Sequence, residues 1–149
     1  MDDLEDTLTG LFTEIAIVEH LTRSRVQNFY ADGDEPWLFG ILNYFVRNHH
    51  GSDTIAGIAW AFQDEEALVA ERVSALESDG LVSVDPARGR DSDAVVNVTD
   101  AGRARREEML DKLAPDFMQL VSEIDPDKLA IAHEVLREIR LTMDNLPDR

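Results

Sequence analysis

The stretch from Thr54 to Gly102 constrains this chain most. It begins with Thr54-Ile55-Ala56-Gly57-Ile58-Ala59-Trp60-Ala61-Phe62, a predicted short helix. A second helix is predicted from about Asp64 to Asp79, with Leu68, Val69, Val73 and Leu76 at helical spacing. Gly80 stands where a helix C-terminus favours a left-handed residue. Leu81-Val82-Ser83-Val84 and Ala94-Val95-Val96-Asn97-Val98 then read as two strands. The segment Asp85 to Asp93 between them is rich in turn residues. Thr99-Asp100-Ala101-Gly102 opens a further helix with Thr99 as its N-cap.

Two crossed helices followed by a hairpin describe a winged helix-turn-helix, whose second helix commonly enters the major groove. Two short motifs carry a family resemblance. Leu76-Glu77-Ser78-Asp79-Gly80-Leu81-Val82 resembles the "LExxGLV" end of the recognition helix in MarR-type transcriptional regulators, and Val98-Thr99-Asp100-Ala101-Gly102 resembles the "LTxxG" after the wing. Their order and separation fit that family as well. The fold class this implies is mainly α with a small β-hairpin wing, flanked by N- and C-terminal dimerisation helices. The whole chain, 1–149, then reads as one MarR-like domain, with the winged helix-turn-helix at 36–106 and dimerisation helices at 2–30 and 107–147.

The chain ends support that division. Leu4, Leu8, Leu11, Ile15 and Val18 are spaced four, three, four and three residues apart, a stripe along one helix face. The helix is expected to end near Ala31 to Pro36. Pro36 starts a strongly apolar helix carrying Trp37, Leu38, Ile41, Leu42, Phe45 and Val46, which stops near Asn48-His49-His50-Gly51. Ser52-Asp53-Thr54 supplies cap candidates. Glu107 to Ile124 reads as one more helix, kinked at Pro115. Asp125-Pro126-Asp127 restarts a last helix carrying Leu129, Ala132, Leu136, Ile139, Met143 and Leu146. In the resembled family the terminal helices of two subunits intertwine. A homodimer seam is therefore expected at Leu4, Leu8, Leu11, Ile15, Leu129, Leu136, Ile139 and Met143.

Charge sets the chain apart. Its 31 acidic and 14 basic residues give a net charge of −17, which repels DNA. Lys112 and Lys128 are its lysines; the other basic residues are arginines. A saline habitat or a GC-rich genome would each favour such a composition. Of the segments 1–35, 36–53, 54–82, 83–106 and 107–149, residues 83–106 alone have a positive balance, +1, so the wing is the expected place for phosphate contacts. Cysteine is absent, which excludes disulfides and thiol-based redox sensing, and with them the peroxide-sensing branch of the resembled family. No run reaches the length of a membrane helix and the N-terminus is acidic, so a cytoplasmic protein without membrane contact is expected.

The resemblance places the family's DNA-reading positions near Glu65, Glu66, Ala67, Leu68, Ala70 and Glu71. Family members usually carry small, hydroxyl-bearing and basic residues there, and Glu71 stands where arginine or lysine is common. The family's wing Asp-Arg-Arg falls on Asp91-Ser92-Asp93, with Arg88 and Arg90 as nearby substitutes. The residues expected to face DNA are Gln63, Ala67, Leu68, Ala70, Glu71, Arg72, Arg88 and Arg90. Neither a catalytic constellation nor a phosphate-binding glycine loop is present, so no enzyme is expected, and no cofactor. Asp64-Glu65-Glu66 suits a helix macrodipole better than acid–base chemistry. His49-His50 lacks partners at ligand spacing, so no metal site is expected.

Two functions remain open. One is a dimeric transcriptional regulator that binds double-stranded DNA, controlled by a small-molecule effector in a cleft that Trp37, Phe45 and Trp60 would line. The other is a degenerate winged-helix protein whose acidic recognition helix engages a protein partner, or that pairs with another regulator and removes it from DNA. The carboxylates predict weak binding to generic duplex in either case.

Overall fold

The computed structural model describes residues 2–30, 35–47 and 51–147. Among these the order is α1 (Asp2–Gln27), α2 (Pro36–Arg47), β1 (Ser52–Thr54), α3 (Ile55–Phe62), α4 (Glu66–Ser78), β2 (Val82–Asp85), β3 (Val95–Val98), α5 (Asp100–Leu120) and α6 (Pro126–Asp144). A single 3-10 turn, Asp91–Asp93, lies between β2 and β3. The chain is mainly helical with a small antiparallel sheet of order β1-β3-β2, a winged helix-turn-helix.

The core lies under α2, α3, α4 and the sheet. Phe45, Leu42, Ile58, Leu76, Val69, Val73 and Val96 are its largest fully buried side chains. The spacing of these residues along each helix brings one apolar stripe per element to the centre. Val69, Val73 and Leu76 of α4 follow the three–four alternation, and Val82 and Val96 bring the sheet in behind them.

The two short motifs around the wing prove to be halves of one clamp. Gly80, at φ +73°, ends α4 in a left-handed turn. The Leu81 N–H returns to the Leu76 carbonyl at 2.9 Å, and the Gly80 N–H to that of Glu77 at 2.9 Å, which closes a Schellman cap. The Thr99 hydroxyl donates to the Gly80 carbonyl at 2.7 Å and accepts from the Gly102 N–H at 3.1 Å. The Thr99 N–H donates to the Leu81 carbonyl at 3.1 Å. A Cβ on Gly102 would fall 2.1 Å from that same carbonyl oxygen, so only glycine lets the start of α5 approach the end of α4. The end of the second helix and the far end of the wing are thereby joined.

Three differences from the sequence reading have local causes. The hairpin is a three-stranded sheet, because Ser52–Thr54 pairs with β3 in the register Ser52↔Asn97, Asp53↔Val96, Thr54↔Val95. Thr54 still caps α3, its hydroxyl accepting from the Gly57 N–H at 2.9 Å. The segment read as two helices at 99–102 and 107–124 is one helix, α5, which stops at Leu120 and runs through Pro115. The proline faces solvent there, so water can satisfy the carbonyl it leaves without a donor. Finally, α4 begins at Glu66 rather than Asp64, because the turn before it absorbs Gln63 to Glu65.

The terminal helices pack sparingly. No residue of α6 is buried, although the helix is 19 residues long and has a well-formed start: Asp125 accepts from the Asp127 N–H at 2.9 Å, with Pro126 in the first turn. In α1, Leu4, Leu8, Phe12, Ile17, Val18 and Leu21 are exposed, while Leu11 and Ile15 are half-buried. An ion pair between Arg25 and Asp116 joins α1 to α5. The Arg25 guanidinium, through its hydrogen bond first and its charge second, holds the Asp116 carboxyl below the ordinary aspartate value.

Candidate nucleic-acid interface

The turn between α3 and α4 is built without glycine. Gln63 takes φ 54°, ψ 36°, the left-handed region. The Asp64 N–H returns to the Ala59 carbonyl at 3.0 Å and the Gln63 N–H to that of Trp60 at 3.3 Å. This is the same Schellman arrangement that Gly80 makes, with a side chain where glycine is preferred. Its effect is to swing α4 away from α3 and present its first turns to solvent.

Arg72 is turned inward. Its Nη1 donates to Asp64 Oδ2 at 2.8 Å, and its guanidinium lies 5.7 Å from the centroid of the Trp37 ring. It thus ties α4 to the preceding turn and to α2 as a structural clasp. Ala70, also on the inner side, packs against the core. Glu65, Glu66, Ala67, Leu68 and Glu71 are exposed on the first two turns. Glu65 occupies the N-cap position and makes no side-chain cap hydrogen bond. The exposed start of α4 therefore carries three carboxylates.

The wing stands beside that helix. Strands β2 and β3 pair Val82↔Val98, Ser83↔Asn97, Val84↔Val96 and Asp85↔Val95. Asn97 Nδ2 donates across them to Asp85 Oδ2 at 3.2 Å. Beyond β2 the loop turns back through Arg90, whose N–H donates to Asp93 Oδ2 at 3.3 Å. The Arg90 guanidinium lies 3.9 Å from Glu66 at the start of α4 and 3.9 Å from Asp93. These are exposed, non-hydrogen-bonded pairs of small energy. They show that wing and helix share one surface, and that a carboxylate accompanies this cation there. Arg88 is exposed and makes no ion pair among the described residues.

Of the expected DNA-facing set, Gln63, Ala67, Leu68, Glu71, Arg88 and Arg90 thus lie exposed around α4 and the wing, while Ala70 and Arg72 face inward. Sequence reasoning missed the partners Asp64 and Trp37 for Arg72, and Glu66 for Arg90. Local spacing signalled neither pair: Asp64 reaches Arg72 only because it lies in the turn before α4. The aromatic residues expected in one cleft are dispersed in role: Phe45 is core at 1% exposure, Trp37 is covered by Arg72, and Trp60 is half exposed on α3. His49-His50 lies outside the described residues. Among the described residues no cluster of three metal-binding side chains occurs, and no helix is long and apolar enough to cross a membrane.

The remaining large feature is an open apolar groove of about 720 Å³ between α1 and α6. Leu11, Ile15, Val18, Val135 and Leu136 line it. Leu4, Leu8, Leu136 and Met143 are exposed, and Leu129 and Ile139 half-buried, so most of the two stripes lies uncovered in one copy of the chain.

No family model matches the sequence, and no curated protein matches it. Solved structures do. A MarR family protein from Bacillus stearothermophilus is similar at TM-score 0.72 and 16% identity, covering 95% of this chain and 98% of that one. The transcriptional regulator BldR from Sulfolobus solfataricus is similar at TM-score 0.69 and 17% identity, covering 95% and 97%. An organohalide-sensing transcriptional regulator in its 2,4-dichlorophenol bound form is similar at TM-score 0.61 and 18% identity, covering 89% and 78%. The likeness extends over the terminal helices as well as the wing, and the chain has the winged helix-turn-helix fold of MarR family transcriptional regulators.

Proposed function

We propose that this protein is a homodimeric transcriptional regulator that binds duplex DNA through α4 and the wing, with little affinity for DNA of arbitrary sequence. The observation that carries this reading is the approach of Arg90 to Glu66. It sets the exposed first turns of α4 beside a wing that ends in an exposed Arg88, the juxtaposition a helix in the major groove and a wing on the flanking backbone require. Base edges accept contacts from small and polar side chains, and a carboxylate can accept from cytosine N4. Phosphates reject carboxylates, which lowers the sequence-independent part of binding.

Homodimerisation through 2–30 and 107–147 belongs to the same proposal. A helix of 19 residues with none buried, next to an α1 with its apolar stripe exposed, is expected to gain its stability from a partner. A small-molecule effector that alters the disposition of the two arms is consistent with the fold's ligand-bound relative. The acidic face of α4 favours a second reading, in which a basic protein replaces DNA as partner.

Gel-shift titration with the protein's own upstream region, at several salt concentrations, separates the two. The regulator reading expects a discrete complex that Arg88→Ala weakens on all sequences. Absence of any complex at low salt favours the protein partner.

A further inference from the structure

A cavity of about 620 Å³ opens where the C-terminal end of α2 meets the second half of α6. It is lined by Arg47, His133, Arg137, Arg140 and Asp144, with Leu136 and Leu141 beside them. On α6, His133, Arg137, Arg140 and Asp144 are separated by four, three and four residues and so share one face. That row runs beside the apolar stripe of Leu136, Ile139 and Met143.

With its imidazole neutral this lining carries a formal charge of +2, in a chain of net −17. Arg47 needs no special account, since it ends α2, where the helix dipole favours a cation. Its guanidinium lies 5.5 Å from the Tyr44 ring centroid, which helps hold it in place. Arg137 and Arg140 lie well inside α6 and three residues apart, where like charges repel. Arg140 donates to Asp144 at 2.8 Å. Arg137 makes no ion pair among the described residues. Among those residues, two guanidinium groups thus remain uncompensated in a concave site of the size that small ligands occupy.

We propose that this cavity binds a small dianion, a phosphomonoester or a dicarboxylate, between Arg47 and Arg137, with Arg140 as a third donor. The planar guanidinium fork suits both oxyanions. Leu141 supplies an apolar wall for the body of the ligand. The site is independent of DNA binding, because none of its residues lies on α4 or the wing.

Titration calorimetry on the full chain tests this with inorganic phosphate, glycerol 2-phosphate and succinate as probes and acetate as the monoanion control. Saturable binding of at least one dianion is expected, tighter than acetate by about tenfold or more. The phosphate and succinate arms identify which oxyanion is preferred. Arg47→Ala and Arg137→Ala should each weaken it about tenfold, while Lys128→Ala, outside the cavity, should leave it unchanged. Circular dichroism and sedimentation, run in parallel, should match the wild type for all three variants. The proposal is overturned if no dianion binds saturably up to about 10 mM, or if Arg137→Ala binds as tightly as wild type. It is also overturned if the two arginine variants change self-association while anion affinity stays constant, since these cations would then face acids of a second copy.

Discussion

Gly102→Ala is the substitution whose sign depends most on the geometry. By helix propensity alone, alanine inside the first turns of α5 should stabilise the protein by about 1 kcal/mol. The structure argues for the opposite. The new Cβ would sit 2.1 Å from the Leu81 carbonyl oxygen, a backbone atom, and 2.9 Å from Cγ2 of the β-branched Val98 side chain. Relief requires α5 to shift away from Leu81, with a packing cost of about 1–3 kcal/mol. The same shift stretches two hydrogen bonds, from the Thr99 N–H to Leu81 and from the Thr99 hydroxyl to Gly80, each worth about 1 kcal/mol. After the propensity gain is subtracted, a net loss of about 2–4 kcal/mol is expected. Urea unfolding followed by circular dichroism would show a lower midpoint at unchanged slope. Gly10→Ala provides the control. Gly10 lies in α1, where an added Cβ would meet nothing within 4 Å, and the variant should gain about 0.5–1 kcal/mol. If Gly102→Ala is as stable as wild type, or rises with Gly10→Ala, the clamp between the two motifs does not hold the wing as argued.

Three further outcomes are expected. Gln63→Gly should raise the melting temperature, because it removes a left-handed cost of about 1–2 kcal/mol against an unfolded-state penalty of about 0.5–1 kcal/mol; a lower melting temperature would contradict the strain assigned to that turn. Replacing both Leu8 and Leu136 by Asp should give a monomer by sedimentation if the exposed stripes form the seam, and unchanged self-association would place the interface elsewhere. Asp116 has a carboxyl held below its ordinary value by Arg25, so its contribution to stability is present above the unfolded aspartate value and lost as pH falls through the lower folded one. Asp116→Asn should therefore lessen the acid sensitivity of unfolding below about pH 4, and identical acid profiles for the two proteins would show that the pair contributes nothing.

The parts of the fold legible in the sequence are those fixed by local chemistry. Gly80, Thr99 and Asp125-Pro126 each announce a helix end through a backbone need that few residue types meet, and all three stand where expected. Strand β1 was not legible, because Ser52-Asp53-Thr54 has the composition of a cap and becomes a strand only through pairing with Val95 to Asn97. The turn at Gln63 was equally silent, since a left-handed glutamine carries no local signature. At the interface, position was legible and pairing was not. The acids and arginines of α4 and the wing are plain in the sequence, yet Arg90 meets Glu66 across 24 positions and Arg72 faces Trp37 on another helix. Those contacts decide which cations remain available, and they exist only in the folded chain.

In the proposed function, α4 and the wing form a DNA-binding face whose carboxylates suppress generic affinity. Fluorescence anisotropy tests it with a labelled duplex from the protein's upstream region and one of random sequence, each titrated over a salt series with wild type and with Glu66→Gln/Glu71→Arg. The wild type should bind the upstream duplex, and should bind the random duplex weakly with a shallow salt slope. The double variant should bind the random duplex more tightly and steepen the slope by about one to two units, through one added phosphate contact and the release of Arg90. Tight wild-type binding to random duplex with a steep slope that the variant leaves unchanged would contradict it, as would failure of both proteins to bind either duplex.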